Sequence, residues 1–150
     1  KPFSENTISL SLEKAIMIAA LAHKGQVDKA GEPYVLHPLR VMLKMSEMDD
    51  RIVAVLHDVV EDSHWTLKKL RAKGFSDVIV EAIDSLTKRS DESYNDFVSR
   101  AAANTIGRRV KLADIEDNSD LSRISNPTDR DYQRLEKYQC ATKIIEGYKT

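Results

Sequence analysis

A chain of 150 residues with 41% apolar side chains is long enough to build one domain around a sizeable core. Lys and Arg (23) nearly cancel Asp and Glu (24), leaving a net charge of −1, which excludes the broad basic field expected of a protein that binds nucleic acid or an anionic membrane. No apolar run approaches the roughly 20 residues of a bilayer span. A lone Cys140 excludes an internal disulfide, so the expected setting is the reducing cytoplasm, with Cys140 a small buried apolar group.

The chain opens on Lys1-Pro2, without Met or a signal-peptide pattern, as expected if a few residues were lost or exchanged at its start. Apolar positions recur at helical spacing almost throughout and nothing alternates long enough for a strand, so the expectation is an all-α, single-domain bundle over residues 1–150. The first helix is predicted over Ser11 to His23, with Ser11 as N-cap and Gly25 as stop. A loop follows from Gln26 to Leu36, and His37 then precedes Pro38, which suits the first position of a helix over Leu39 to Met48.

A third helix is predicted over Asp50 to Asp62, and a short one from Thr66 to Lys73 closed by Gly74. The next, Ser76 to Leu86, should turn Val78, Val80, Ala82, Ile83 and Leu86 inward. A polar loop, Lys88 to Ser93, leads into Tyr94 to Ala103, with Asn104 to Gly107 as its termination and a further helix over Arg108 to Leu121. Thr128 should cap a final helix over Asp129 to Tyr148, whose stripe Leu135, Tyr138, Thr142 and Ile145 is expected to face the core.

Within the third helix, Ile52-Val53-Ala54-Val55-Leu56-His57-Asp58-Val59-Val60-Glu61-Asp62 interrupts an apolar run with four ionisable groups. On a continuous helix His57 lies above Glu61 and Asp58 above Asp62, so all four project to one side. Clustered acids lose hydration inside a core and repel one another, so they persist only where a cation or strong donors neutralise them. A His-Asp dipeptide alone arises by chance in about one chain in three of this composition. Here it is accompanied by His37 at a helix entrance and by Asp114 in a second apolar run, with Asp117 and Asn118 on the same face as Asp114. His37, His57, Asp58 and Asp114 make a two-nitrogen, two-carboxylate set that suits Mn²⁺, Fe²⁺, Ni²⁺ or Zn²⁺ better than Ca²⁺. Such a metal lowers the pKa of water and polarises a phosphoryl oxygen, and Glu61 and Asp62 beside it could orient or deprotonate that water.

Several blocks in order carry a family resemblance: Ala22-His23-Lys24-Gly25-Gln26, Gly31-Glu32-Pro33-Tyr34-Val35-Leu36-His37-Pro38, Leu56-His57-Asp58-Val59-Val60-Glu61-Asp62-Ser63, Leu86-Thr87-Lys88, and Val110-Lys111-Leu112-Ala113-Asp114 followed by Asn118. The chain resembles the HD-domain metal-dependent phosphohydrolases, most closely the hydrolase part of the RelA/SpoT homologues and the stand-alone small alarmone hydrolases. The resemblance implies an HD-type helical bundle in which His37, His57, Asp58 and Asp114 bind a metal, usually manganese. It further implies that Glu61 and Asp62 activate water, that Asn118 helps hold a nucleotide, and that pyrophosphate is removed from the 3′ position of a guanosine alarmone such as ppGpp. Lys29 and Lys88, in matched blocks, are the expected phosphate ligands, and the length is that of a stand-alone hydrolase.

Two departures from the family pattern stand out. Asp28-Lys29 replaces a basic pair whose first member, an Arg, packs on the base, and Asp117-Asn118-Ser119-Asp120-Leu121 stands where the alarmone enzymes tend to read His-Asn-Met-Arg-Thr. Both changes are expected to add acid on the nucleotide side. His23 is expected to close its helix and His64 to lie in a polar turn, neither on a metal. The competing classes are a catalytically silent HD fold that binds a nucleotide or a partner protein, and a two-iron redox enzyme. The intact ligand set argues against the first, and the lack of extra ligands against the second.

Overall fold

The computed structural model describes residues 11–148. In chain order they form α1 (Ser11–Ala22), α2 (Leu36–Leu43), α3 (Met48–Leu56), α4 (Val59–Asp62), α5 (Leu67–Ala72), α6 (Asp77–Ser85), α7 (Tyr94–Ala103), α8 (Thr105–Asn118), a 3₁₀ turn (Leu121–Arg123) and α9 (Asp129–Glu146). Extended pairing among the described residues is limited to one antiparallel bridge, Val27 with Pro33, which pins the base of the loop between α1 and α2. The all-α expectation holds.

Side-chain caps set most helix starts. Thr66, Ser76 and Ser93 each accept a hydrogen bond from the backbone N–H three residues on, and Asp131 receives both the N–H and the hydroxyl of Thr128 in a capping box. Asn104 does the same for Gly107 at 2.8 Å, so Asn104 to Gly107 begins α8 rather than ending α7. A Cβ at Gly107 would run into Ser85 Oγ and lie 3.1 Å from the Ala101 carbonyl, which explains a glycine inside a helix: α6 and α8 cross closely there.

Helix α3 is the central element, packed against α1, α2, α6 and α8. Ile52 to Leu56 are all buried, an all-round apolar segment as expected of a helix enclosed by neighbours. A second cluster, Val98, Ala102, Ile115, Ala141 and Ile145, joins α7, α8 and α9. Helix α8 contributes to both clusters, so the residues along it are fixed from two sides.

Several local expectations fail for tertiary reasons. Ser11 is already helical rather than a cap. Helix α2 begins three residues earlier than expected and ends at Leu43, with Pro38 in its first turn, where a missing N–H costs nothing. Val78 is 55% exposed and Ile79 takes its place inside. Cys140 is exposed, not buried, because α9 packs through Ala141 and Ile145 instead.

Candidate active site

The α3 ladder breaks just before the acidic residues. The Ala54 carbonyl accepts from the His57 N–H at 3.4 Å and from the His57 ring Nδ1 at 2.6 Å, and α4 restarts at Val59. A continuous helix would point residues 57 and 58 about 100° apart. The break instead turns two adjacent side chains into one space, while the Asp62 N–H still bonds the Asp58 carbonyl at 3.0 Å across one helical turn.

Four side chains from distant segments meet there. His37 comes from the first turn of α2, His57 and Asp58 from the α3–α4 break, and Asp114 from the middle of α8. His57 Nε2 lies 3.1 Å from Asp58 Oδ2 and 3.4 Å from Asp114 Oδ1; His37 Nε2 lies 3.7 Å and 2.9 Å from the same two oxygens. Ligand atoms of His37, His57 and Asp58 all fall within 4.8 Å of one another, and Asp114 joins through the two imidazoles.

The donor set passes a chemical test for a divalent cation. Because the Ala54 carbonyl can only accept, His57 Nδ1 carries a proton, and Nε2 is the nitrogen that faces the cluster and would serve as the metal ligand. That Nε2 is buried, and despite its two near carboxylates it has no aligned hydrogen-bond partner. A buried imidazole nitrogen between two aspartates with no aligned partner is what a metal ligand set looks like before the ion is counted.

Each of the four is also held from behind. Tyr34 donates to Asp58 Oδ2 at 2.5 Å, Lys111 donates to Asp114 Oδ2 at 3.0 Å, Asn118 to Asp114 Oδ1 at 3.0 Å, and His37 Nδ1 pairs with Asp117 Oδ2 at 2.7 Å. Sequence reasoning missed Tyr34 and Arg40. Their spacing from His37, three residues before and three after, was the available signal.

Charges in the cluster pull on one another. Burial alone would lower both histidine pKa values, but Asp114 and Asp117 for His37, and Asp58 and Asp114 for His57, outweigh it and raise them. Burial would raise Asp58, yet His57 beside it holds the carboxyl down at about 2. Asp114 is likewise held well below the carboxylate range, with Lys111 the strongest opponent of its burial. Lys111 itself is buried against the Phe97 ring, 4.7 Å from its centre, and stays charged because Asp114 faces it.

Glu61 and Asp62 lie beside this cluster on α4. Burial raises both pKa values, and the Asp58 charge adds to it. Glu61 accepts the Lys88 backbone N–H at 2.5 Å, whereas the Lys88 ammonium points to the Arg89 carbonyl. His37 opens onto a cavity of about 390 Å³ lined by Lys29, Tyr34, Arg40, Asn118, Arg123, Arg134 and Tyr138, among others; Lys88 is not among its walls. The acid expected on this side is present, with Asp28, Asp117 and Asp120 all lining the cavity, but the first two are already engaged. Asp28 is consumed by the N–H groups of Ala30 and Glu32, and Asp117 is forked by Arg40 at 2.8 and 3.0 Å. His64 is exposed, whereas His23 is buried, with Nδ1 on Gln26 at 2.9 Å.

Comparison with known proteins gives the same fold and the same family. A solved structure of a metazoan ortholog of SpoT, described as hydrolysing ppGpp, superposes with a TM-score of 0.72 over 90% of this chain and 83% of that one, at 23% identity. The guanosine-3′,5′-bis(diphosphate) 3′-pyrophosphohydrolases of Vibrio cholerae and Borreliella burgdorferi are 32% and 37% identical over 111 and 102 residues, 71% and 65% of this chain. A GTP pyrophosphokinase of Streptomyces coelicolor is 34% identical over 113 residues, 73% of the chain. No family model matches. The chain spans only 13% to 15% of the length of these three relatives, whose names describe opposite reactions, so a name alone does not carry over. The all-helical fold and the histidine–aspartate cluster define an HD-type domain. Within that class the chain belongs with the HD-type hydrolase domains of the RelA/SpoT homologues.

Proposed function

We propose that this chain is a metal-dependent phosphohydrolase that cleaves a nucleotide pyrophosphate ester, with removal of the 3′-pyrophosphate of (p)ppGpp as the reaction and Mn²⁺ as the metal. The observation that carries this reading is the convergence of His37, His57, Asp58 and Asp114 around the unpartnered His57 Nε2 at the mouth of a nucleotide-sized cavity. When bound, a divalent ion supplies Lewis acidity toward the phosphoryl oxygens and makes water a competent nucleophile near neutral pH.

The residues of the chain supply the rest. His37, His57, Asp58 and Asp114 hold the ion in an orientation fixed by their partners. Glu61 and Asp62, with pKa values raised by burial and by the Asp58 charge, accept the proton of the attacking water. Lys29 and Asn118, on the cavity wall, face the nucleotide, and Lys88, outside that wall, reaches a phosphate by releasing the Arg89 carbonyl. Water adds to phosphorus, the P–O bond to the 3′ oxygen breaks, and the nucleotide leaves with a 3′-hydroxyl alongside free pyrophosphate. Four basic and four acidic side chains line the cavity, so it offers no net positive charge of its own and a polyphosphate depends on the metal for its main attraction.

The test is a Mn²⁺-dependent turnover screen over ppGpp, pppGpp, their adenine analogues and simple nucleotides, with products identified. Release of pyrophosphate from guanosine alarmones is expected. Tight nucleotide binding without hydrolysis would instead make the domain a silent binding module.

A further inference from the structure

We propose that Asp117 is a positioning residue that sets the orientation and donor strength of the His37 imidazole, so that the two histidines of the cluster are unequal. This rests on the reading of His37 as a metal ligand. The geometry behind it is closed on every side. Asp117 and His37 are each 4% exposed, and the Asp117 Oδ2 lies 2.7 Å from His37 Nδ1. Arg40 forks the carboxylate, Nε to Oδ1 at 2.8 Å and Nη2 to Oδ2 at 3.0 Å. Arg123 donates to the Asp117 carbonyl at 3.2 Å and sits 3.6 Å from Oδ2. Neither oxygen is free to rotate away, so Nδ1 is bound to a fixed acceptor and the opposite nitrogen, Nε2, is aimed at Asp58 and Asp114.

His57 is held differently, by the neutral carbonyl of Ala54. A carboxylate acceptor draws the Nδ1 proton more strongly than a carbonyl and makes the far nitrogen a better electron donor. Arg40 holds that carboxylate in place while offsetting its charge. His37 is therefore the stronger nitrogen ligand, and its strength is set from α8 by a residue hydrogen-bonded to the far side of the ring.

The experiment is a calorimetric Mn²⁺ titration of the metal-free chain, comparing the wild type with Asp117→Asn and His37→Ala, together with imidazole ¹⁵N and ¹H spectra of the metal-free proteins. Asp117→Asn preserves shape and is expected to weaken Mn²⁺ binding 10- to 100-fold and to move the His37 Nδ1 resonances while leaving those of His57 in place. Binding within twofold of wild type in Asp117→Asn, with His37→Ala inactive toward Mn²⁺, would overturn the positioning role and leave the metal site standing. Undiminished binding in His37→Ala would overturn both. If Asp117→Asn does not fold, the wild type decides: an exchange-protected, downfield Nδ1 proton on His37 supports the proposal, and its absence refutes it.

Discussion

Two kinds of buried acid stand a few turns apart in this molecule. Asp50, at the start of α3, is 3% exposed and is met by a guanidinium fork, Arg109 Nε and Nη2 at 2.6 and 2.9 Å. Asp58 and Asp114, beyond the other end of the same helix, are met by imidazoles, a phenol and an amine, and leave a histidine nitrogen without a partner. The first pair is electrostatically complete and has nothing left to offer. The second is complete only with an added cation, and that difference separates a structural acid from a functional one more surely than burial does.

The comparison breaks most visibly at Asp58. Asp58→Ala should abolish Mn²⁺ binding and reduce turnover more than ~100-fold, read by metal analysis and product release; undiminished metal content would remove the cluster from the chemistry. Next in size is the coupling of metal to folding. Chelation should lower the melting temperature, because the ion relieves repulsion among Asp58, Asp114, Glu61 and Asp62 and binds only the native arrangement.

That coupling has a pH signature. The His37 and His57 pKa values are raised in the metal-free protein, so their stabilising contribution is full below about 6.5 and is lost as pH rises through the folded values. The metal needs both rings deprotonated, so its affinity moves the opposite way. The Mn²⁺-induced rise in melting temperature should therefore grow from about pH 6 to about pH 8. A constant or shrinking increment would contradict the shared titration.

The complete pairs should answer only in stability. Asp50→Asn should cost about 2 kcal/mol in denaturant unfolding, less than a fully buried pair because Arg109 is half exposed, and should leave Mn²⁺ affinity within about twofold. Smaller still is Glu92, whose carboxyl is held at about 2 by the hydrogen bonds of Arg100. Glu92→Gln should cost about 1 kcal/mol near neutrality. Since that pKa is depressed, the difference from wild type should vanish as pH falls from 4.5 through 2.

How much of this was legible in the sequence depended on whether a signal was local. Helix α7, the Thr128 cap and the stop at Gly74 were readable because capping chemistry is written within four residues. The meeting of His37, His57, Asp58 and Asp114 was readable because buried-looking ionisable residues in apolar runs need one another. The break before Asp58 was not, because the competitor for the Ala54 carbonyl is a side chain whose direction periodicity does not encode. Asp117 was seen on the face of Asp114 but taken for charge on the nucleotide side, since nothing local says that Arg40, 77 residues away, would claim it. Cys140 and Val78 failed alike: one stripe of a helix is inward, but which stripe is decided by the neighbours.

The crossing at Gly107 reaches further than its own neighbourhood. Asp114 lies seven residues along α8, two turns and about 10 Å away on the same side of the rod. With no room for a methyl against Ser85, α8 rests on α6 as on a fulcrum, and Gly107→Ala would tilt the far end of the lever. A mutation that touches no ionisable group would then misplace a carboxylate by tenths of an ångström, and the reaction would register a fault in the scaffold as a fault in chemistry.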